Sequence, residues 1–276
     1  MRKSFFIFTL LFVFILNFQN FSEATDSKTN VDIKINNEYI SFSNTPFIHN
    51  SVAYVPLRSF SEVISADISW NGAFAYISKD GTELSVYPNA KNALVNNENV
   101  SMNSSAIMYN DRIYIPVRFA ASTFGGEVVW DNFLGNVCIT LNDTAVPSSM
   151  VNYSYTDEDI FWLGRIIESE SSGEPMEGKT AVGNVILNRV KSSDFPNTIY
   201  GVIFDRNYGV QFQPVINGTI YNTPSYDSIT AAKYALKGSK PVGECLYFLN
   251  PRTAQSHWII NNRKYHTTIK NHDFYL

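Results

Sequence analysis

Four carboxylates fall within ten residues, Glu168, Glu170, Glu174 and Glu177, in a chain otherwise poor in charge. Carboxylates do acid chemistry when the surroundings hold one of them protonated, so that it can give its proton to a leaving oxygen. The residues ahead of the cluster read as a helix able to impose such surroundings. Thr156 is a candidate N-cap, and Asp157, Glu158 and Asp159 occupy a first turn where the helix dipole favours anions. Ile160, Leu163, Ile166 and Ile167 then follow at helical spacing. At about 100° per residue, Glu170 falls within the apolar arc while Glu168 points nearly the opposite way. A carboxylate on an apolar face has its charged form penalised by desolvation, which raises its pKa and makes Glu170 a candidate general acid. Glu168, Glu174 and Glu177 read as surface carboxylates, solvated or paired with Lys179 and Arg189.

The elements around this cluster follow the same periodic logic. Glu177 to Val190 reads as a second helix, with Ala181, Val182, Val185, Ile186 and Val190 on one stripe and Thr180, Asn184 and Asn188 on another. A third helix is expected to open at Thr223-Pro224, pass through Ala231-Ala232 and stop at Gly238. Ahead of them lies an internal repeat with a constant offset of sixty residues. Tyr54-Val55-Pro56-Leu57-Arg58 recurs as Tyr114-Ile115-Pro116-Val117-Arg118, Trp70-Asn71 as Trp130-Asp131, and Asn36-Asn37-Glu38 as Asn96-Asn97-Glu98. Each copy reads as strand, Asn-rich turn, strand, a short helix after Pro56 or Pro116 and a closing hairpin, so two β-rich lobes with one helix apiece are expected. Residues 143–155 are aperiodic, carry Pro and Ser, and read as a linker.

The 276 residues, 45% hydrophobic with a net charge of −4, fit one large or two ordinary globular domains. No basic excess suggests nucleic acid. Met1-Arg2-Lys3, an apolar run from Phe5 to Phe18 and Ser22-Glu23-Ala24 have the order of a secretory signal cut after Ala24, so export is expected. Cys138 and Cys245 read as buried thiols. His49, His257, His266 and His272 lack metal-ligand spacing, and neither metal nor cofactor is expected.

From Trp162 to the C-terminus the chain resembles the spore cortex-lytic, cell-wall-hydrolase family of SleB type. The likeness is carried by Glu170 to Val190, Phe195-Pro196-Asn197-Thr198-Ile199-Tyr200-Gly201-Val202-Ile203, Gln211-Phe212-Gln213-Pro214-Val215, Leu246-Tyr247-Phe248-Leu249-Asn250-Pro251 and Asn271-His272-Asp273-Phe274. It implies a mostly helical, lysozyme-like domain over residues 156–276. The activity implied is that of a peptidoglycan lytic transglycosylase, with glycan strands as substrate and Glu170 as the single acid and base. Substrate contacts are expected from Asn188, Gln213, Tyr247 and Asn250, with Trp258 a candidate stacking platform. The chain departs from the family's usual residues at Ser169 and Ser171-Ser172, whose hydroxyls could stabilise the Glu170 carboxylate, and at Lys270, where Gly is usual. Residues 30–142 resemble the copper amine oxidase-like N-terminal domain without copper ligands or a quinone-forming motif, and are read as a targeting or interaction module for a wall component or a spore accessory protein, with a plain structural spacer as the alternative. The expected class is therefore α+β: a duplicated β-rich module followed by a mostly helical catalytic domain. A hydrolytic muramidase and a non-catalytic wall-binding spore protein are the competing readings.

Overall fold

In the computed structural model, which describes residues 27–276 apart from 143, 208 and 255, the repeat folds as interleaved rather than separate copies. The signal-like segment 1–24 lies outside the described residues. Two-residue turns set the local geometry. Asn36 and Asn37 (φ 50° and 70°), Asn50 and Ser51 (48° and 63°), Asn96 and Asn97 (50° and 66°), and Asn110 and Asp111 (47° and 57°) each join a tight antiparallel hairpin. Two successive positive φ values give the turn whose twist matches the flanking strands, and Asn is among the residues that tolerate them best.

Strands Val52–Pro56 and Arg112–Pro116 pair antiparallel at the centre of a five-stranded sheet, with Val55 opposite Ile115, Tyr54 opposite Pro116 and Pro56 opposite Tyr114. Because the copies are offset by sixty residues, this register creates a local twofold axis through the Val55–Ile115 pair. On either side, elements of opposite copies pack together. Strand Asp32–Ile35 of the first copy pairs with Asn136–Thr140 of the second, and Asn92–Val95 of the second copy pairs with Thr82–Val86 next to the first copy's closing hairpin. The expectation of one copy per lobe is thus corrected: each lobe draws strands from both. Helices α1 (Leu57–Val63) and α2 (Val117–Thr123) follow the two prolines, as expected, and cover a core that includes Val55, Phe60, Ile77, Ile115 and Ile139.

The C-terminal half is built on α3 (Asp157–Ser171), α4 (Met176–Lys191), α5 (Ile199–Ile203), α6 (Gln213–Asn217), α7 (Tyr226–Leu236) and α8 (Trp258–Asn262). A three-stranded sheet joins them, in the order Tyr247–Leu249, His272–Tyr275, Tyr265–Ile269. Thr156 caps α3 reciprocally: its hydroxyl accepts from the Asp159 amide at 3.2 Å, while the Asp159 carboxylate accepts from the Thr156 amide at 2.9 Å. Ile160, Leu163, Ile166 and Ile167 are fully buried. Gly164 lets α3 and α7 approach closely, since a Cβ there would stand 2.8 Å from Ile229 Cδ1.

Helix α7 starts two residues later than expected, its cap at Ser225 and not Thr223. Ser225 is held extended because the Glu168 carboxylate accepts its backbone amide at 3.1 Å while its own hydroxyl accepts from the Ser228 amide. Cys138 is partly buried and Cys245 fully, both as free thiols whose pKa burial raises. No helix among the described residues is long and apolar enough to cross a membrane.

The two halves meet over a built interface. Tyr39 and Leu134 of the module enter the hydrophobic cluster of α3 and α7. Around them, Lys34 pairs with Asp157 at 2.6 Å, the Tyr39 hydroxyl donates to Asp157 at 2.7 Å, and Lys233 of α7 reaches Asp32 at 3.2 Å and the Asn136 side-chain oxygen at 2.6 Å. The connecting segment is itself bound to the module: Ser41 donates to the Met150 carbonyl and Asn152 to the Tyr39 carbonyl, both at 2.8 Å.

Candidate active site

Glu170 lies in the last turn of α3, at the wall of an open cleft of about 810 Å³. The same cleft is lined by Arg189 from α4, Gln213 at the start of α6, Tyr247 and Asn250 from the first strand of the small sheet and the loop after it, Trp258 from α8, and His272. An adjoining depression of about 920 Å³ shares Gln211, Tyr247 and Trp258, so the groove runs on past the acid as a track suited to a polymer.

Glu170 makes no hydrogen bond among the described residues, and burial pushes its carboxyl up to about 7, opposed by the charge of Arg189. This is the protonation state near neutral pH that a general acid needs. Arg189 is itself buried, which lowers its pKa to about 10. Its Nε donates to the Leu246 carbonyl at 2.7 Å and its guanidinium lies over the rings of Phe195, Phe212 and Tyr247 at 4.9, 5.4 and 5.5 Å. Its Nη1 is buried with no partner among the described residues. Such a donor costs stability unless something in the site uses its charge, and the nearby Glu170 does once it ionises.

The other acids of the cluster separate. Glu168 faces away from the cleft and accepts from the hydroxyls of Ser225 and Ser228, the latter at 2.6 Å. Burial alone would raise its pKa, but these bonds and the Ser225 amide outweigh it and hold the carboxyl below its ordinary value. Glu177 is an exposed residue of the first turn of α4, as expected. Glu174 departs from the expected surface role: it is buried and accepts from the Asn271 side chain at 2.8 Å and the Asn271 amide at 3.3 Å, with His272 Nδ1 3.8 Å away. Neither Lys179 nor Arg189 pairs with it; Lys179 stands 4.0 Å from Asp227. Glu174 thus clamps the turn of the C-terminal hairpin to the α3–α4 junction. Lys270, at φ 49° in that same turn, adds a bond from its amine to the Gly173 carbonyl. Burial lowers the His272 pKa, with Glu174 and Asp273 opposing.

Gln213, Tyr247 and Asn250 stand in the cleft with Glu170, but Asn188 does not. Its amide is buried and donates to the Gly243 and Cys245 carbonyls at 2.8 and 2.9 Å, a structural tie that leaves no donor for substrate. Trp258 is half exposed at the mouth, 6.3 Å from the Tyr247 ring. Arg263 donates to the Tyr247 hydroxyl at 2.9 Å and fixes it. Among the described residues no group of His, Cys, Asp and Glu could hold a metal ion.

The serines beside Glu170 do not reach it. Ser169 donates to the Thr219 carbonyl at 3.2 Å and Ser171 to the Ile167 carbonyl at 2.6 Å. Replacing both with Ala is therefore expected to leave the alkaline limb of any activity profile in place. A displaced limb would show that one of the hydroxyls swings onto the carboxylate.

Comparison with known proteins agrees with this architecture. Residues 173–275 match the family model described as Cell Wall Hydrolase, and residues 34–139 the one described as Copper amine oxidase N-terminal domain. The C-terminal half thus carries a cell wall hydrolase domain, and the module ahead of it a domain of the copper amine oxidase N-terminal type.

The spore cortex-lytic enzyme of Bacillus cereus is 45% identical over 105 residues, 38% of this chain and 39% of that protein. The spore cortex-lytic enzyme of Bacillus subtilis is 41% identical over 115 residues, 42% of this chain and 36% of that protein. The chain thus spans about two fifths of the length of these curated relatives. The solved catalytic domain of the germination-specific lytic transglycosylase SleB from Bacillus anthracis is 41% identical, covers 46% of this chain and all of that domain, and superposes with a TM-score of 0.42. The Cell Wall Hydrolase match begins three residues after Glu170, so Glu170 lies outside the matched residues.

Proposed function

We propose that this protein is an exported peptidoglycan lytic transglycosylase, acting on spore cortex or cell wall, in which Glu170 is both acid and base. Residues 156–276 are the catalytic unit, residues 30–142 the targeting module and residues 143–155 the bound connection between them. The observation that carries the reading is a carboxyl held near pH 7 by burial in a groove whose other wall carboxylate, Glu174, is tied to Asn271. Ordinary glycosidases need two working carboxylates, one for the leaving group and one for the nucleophile or water. With only one free, the economical reaction is intramolecular. Glu170 protonates the oxygen between N-acetylmuramic acid and N-acetylglucosamine, the substrate's N-acetyl group supports the cation, and the Glu170 carboxylate then takes the proton of the muramyl 6-hydroxyl as the 1,6-anhydro ring closes. Arg189 stabilises the carboxylate between the two steps. Gln213, Tyr247, Asn250 and Trp258 line the track that a glycan strand would occupy.

Digestion of purified cortex and of vegetative sacculi, followed by mass analysis of the released muropeptides, is expected to give products one water lighter than those of a muramidase. Products of hydrolytic mass would make the enzyme a muramidase and place a water where the 6-hydroxyl is proposed. The absence of any cleavage would favour a non-catalytic wall protein, although an unpaired acid in a half-buried site costs stability and serves no purpose there.

A further inference from the structure

We propose that the N-terminal module holds two equivalent clefts, each with one tryptophan and one arginine, that together bind the acidic glycan strand whose cleavage is proposed above; the inference rests on that reading only for the identity of the polymer. Over residues 32–79 and their counterparts 92–139 the two copies agree at nine of 48 positions. Most of these agreements have structural causes. Asn36, Asn37 and Asn50 take positive φ in the turns, and Tyr54 and Pro56 are buried in the central strand. Of the exposed identities, Arg58 and Trp70 line one cleft together, and Arg118 and Trp130 line its counterpart.

The clefts have volumes of about 510 and 380 Å³. In each, the far wall comes from the other copy: Met108 and Ile113 stand across from Trp70, and Ile48 and Ala53 across from Trp130. These walls are again sixty residues apart, so the sites are related by the axis through Val55 and Ile115. Such an axis runs perpendicular to the sheet, so both clefts lie on the face that carries these two residues.

Trp70 is 49% and Trp130 39% exposed, which leaves an indole surface open beside each arginine. Arg58 and Arg118 form no ion pair or hydrogen bond among the described residues. The chemistry required of a ligand follows. A broad apolar ring surface receives the C–H face of a pyranose, and a free guanidinium receives a carboxylate through two parallel hydrogen bonds. Glycan strands built of N-acetylated sugars with lactyl or peptide carboxylates present both groups repeatedly. Two equal sites on one face then bind one polymer with far greater retention than either alone.

The test uses the full chain carrying Glu170→Gln, so that the polymer is not cut, and sacculi stripped of teichoic acid as the probe. Trp70→Ala or Trp130→Ala alone is expected to weaken sedimentation with sacculi by about tenfold, and the pair together by about a hundredfold or more. Charge reversal, Arg58→Glu with Arg118→Glu, should act like the tryptophan pair, and so should esterification of the sacculus carboxylates. Unchanged sedimentation of folded double variants overturns the proposal, as does parental binding that requires teichoic acid. Cleavage is read separately on soluble fragments with the chain that retains Glu170. If the tryptophans govern binding and nothing is cleaved, the clefts stand and the catalytic reading falls; if fragments are cleaved and the double variants bind as the parent does, the clefts fall alone.

Discussion

Glu170→Gln is expected to abolish glycan cleavage and, at the same time, to make the protein more stable above neutral pH. Loss of a general acid costs about 10²- to 10⁴-fold, and the upper end is expected because the same carboxyl is proposed to be the base as well. The stability change follows from the raised pKa. Unfolded, the carboxyl titrates at its ordinary value of 4.5; folded, at about 7. Below pH 4.5 it is protonated in both states and costs nothing. Between pH 4.5 and 7 the unfolded chain ionises this carboxyl while the folded protein keeps it protonated, so the stability present in acid is lost progressively and the loss is complete once the folded group ionises above 7. At about 1.36 kcal/mol per pH unit the full displacement corresponds to about 3 kcal/mol, an upper bound because the cleft is open to water. Glutamine keeps the volume and never ionises. Urea unfolding should therefore find the variant and the parent alike at pH 4, with the variant more stable by about 2–3 kcal/mol at pH 8. The parent's cleavage should fall through the same region as Glu170 loses its proton. Equal stability at pH 8 would mean that the carboxyl is well solvated and is not the acid.

The position of Glu170 was legible in the sequence because everything that places it is local. The Thr156 cap fixes where α3 starts, the 3.6-residue period fixes which face is apolar, and Glu170 is one turn beyond Ile166 and Ile167 on that face. Glu174 and Arg189 were not legible in this way. Glu174 is buried by the turn at Asn271, about a hundred residues further on, and Arg189 by the Leu246 carbonyl and three aromatic rings from distant segments. Asn188 looked available because a polar helical stripe is normally solvated, until the loop around Gly243 and Cys245 folded over it. The duplication was plain in the sequence, but a repeat says only that two units are alike. Which strands pair is decided by the Val55–Ile115 register in three dimensions, and that register exchanges the copies. The capping of α7 moved from Thr223 to Ser225 because Glu168, on another helix, holds the Ser225 amide.

Asp32→Ala is expected to destabilise the whole chain by about 3 kcal/mol, although Asp32 lies more than a hundred residues from the cleft. Its carboxylate faces Lys233, whose side chain is only 10% exposed, and also pairs with Lys237. Burial lowers the pKa of Lys233 and Asp32 is the first of the influences raising it, so removal of Asp32 leaves an ammonium desolvated without its counter-ion. Breaking a buried pair by deleting one partner typically costs about 3–5 kcal/mol; the lower end applies because the Asn136 side chain and the Gly135 carbonyl still accept from Lys233. Removing both charges should be milder, so Asp32→Ala with Lys233→Met is expected to recover most of the loss. Recovery would distinguish a stranded charge from general disruption of the strand. The same contacts bear on any truncation. Taking away residues 30–142 removes Tyr39 and Leu134 from the α3–α7 cluster, and leaves Lys233 without Asp32, Asn136 and Gly135. The catalytic half alone should accordingly melt at a lower temperature than it does in the full chain, and a module deletion mixes loss of binding with loss of stability. If Asp32→Ala costs less than about 1 kcal/mol, the interface contributes little and the two halves are energetically independent.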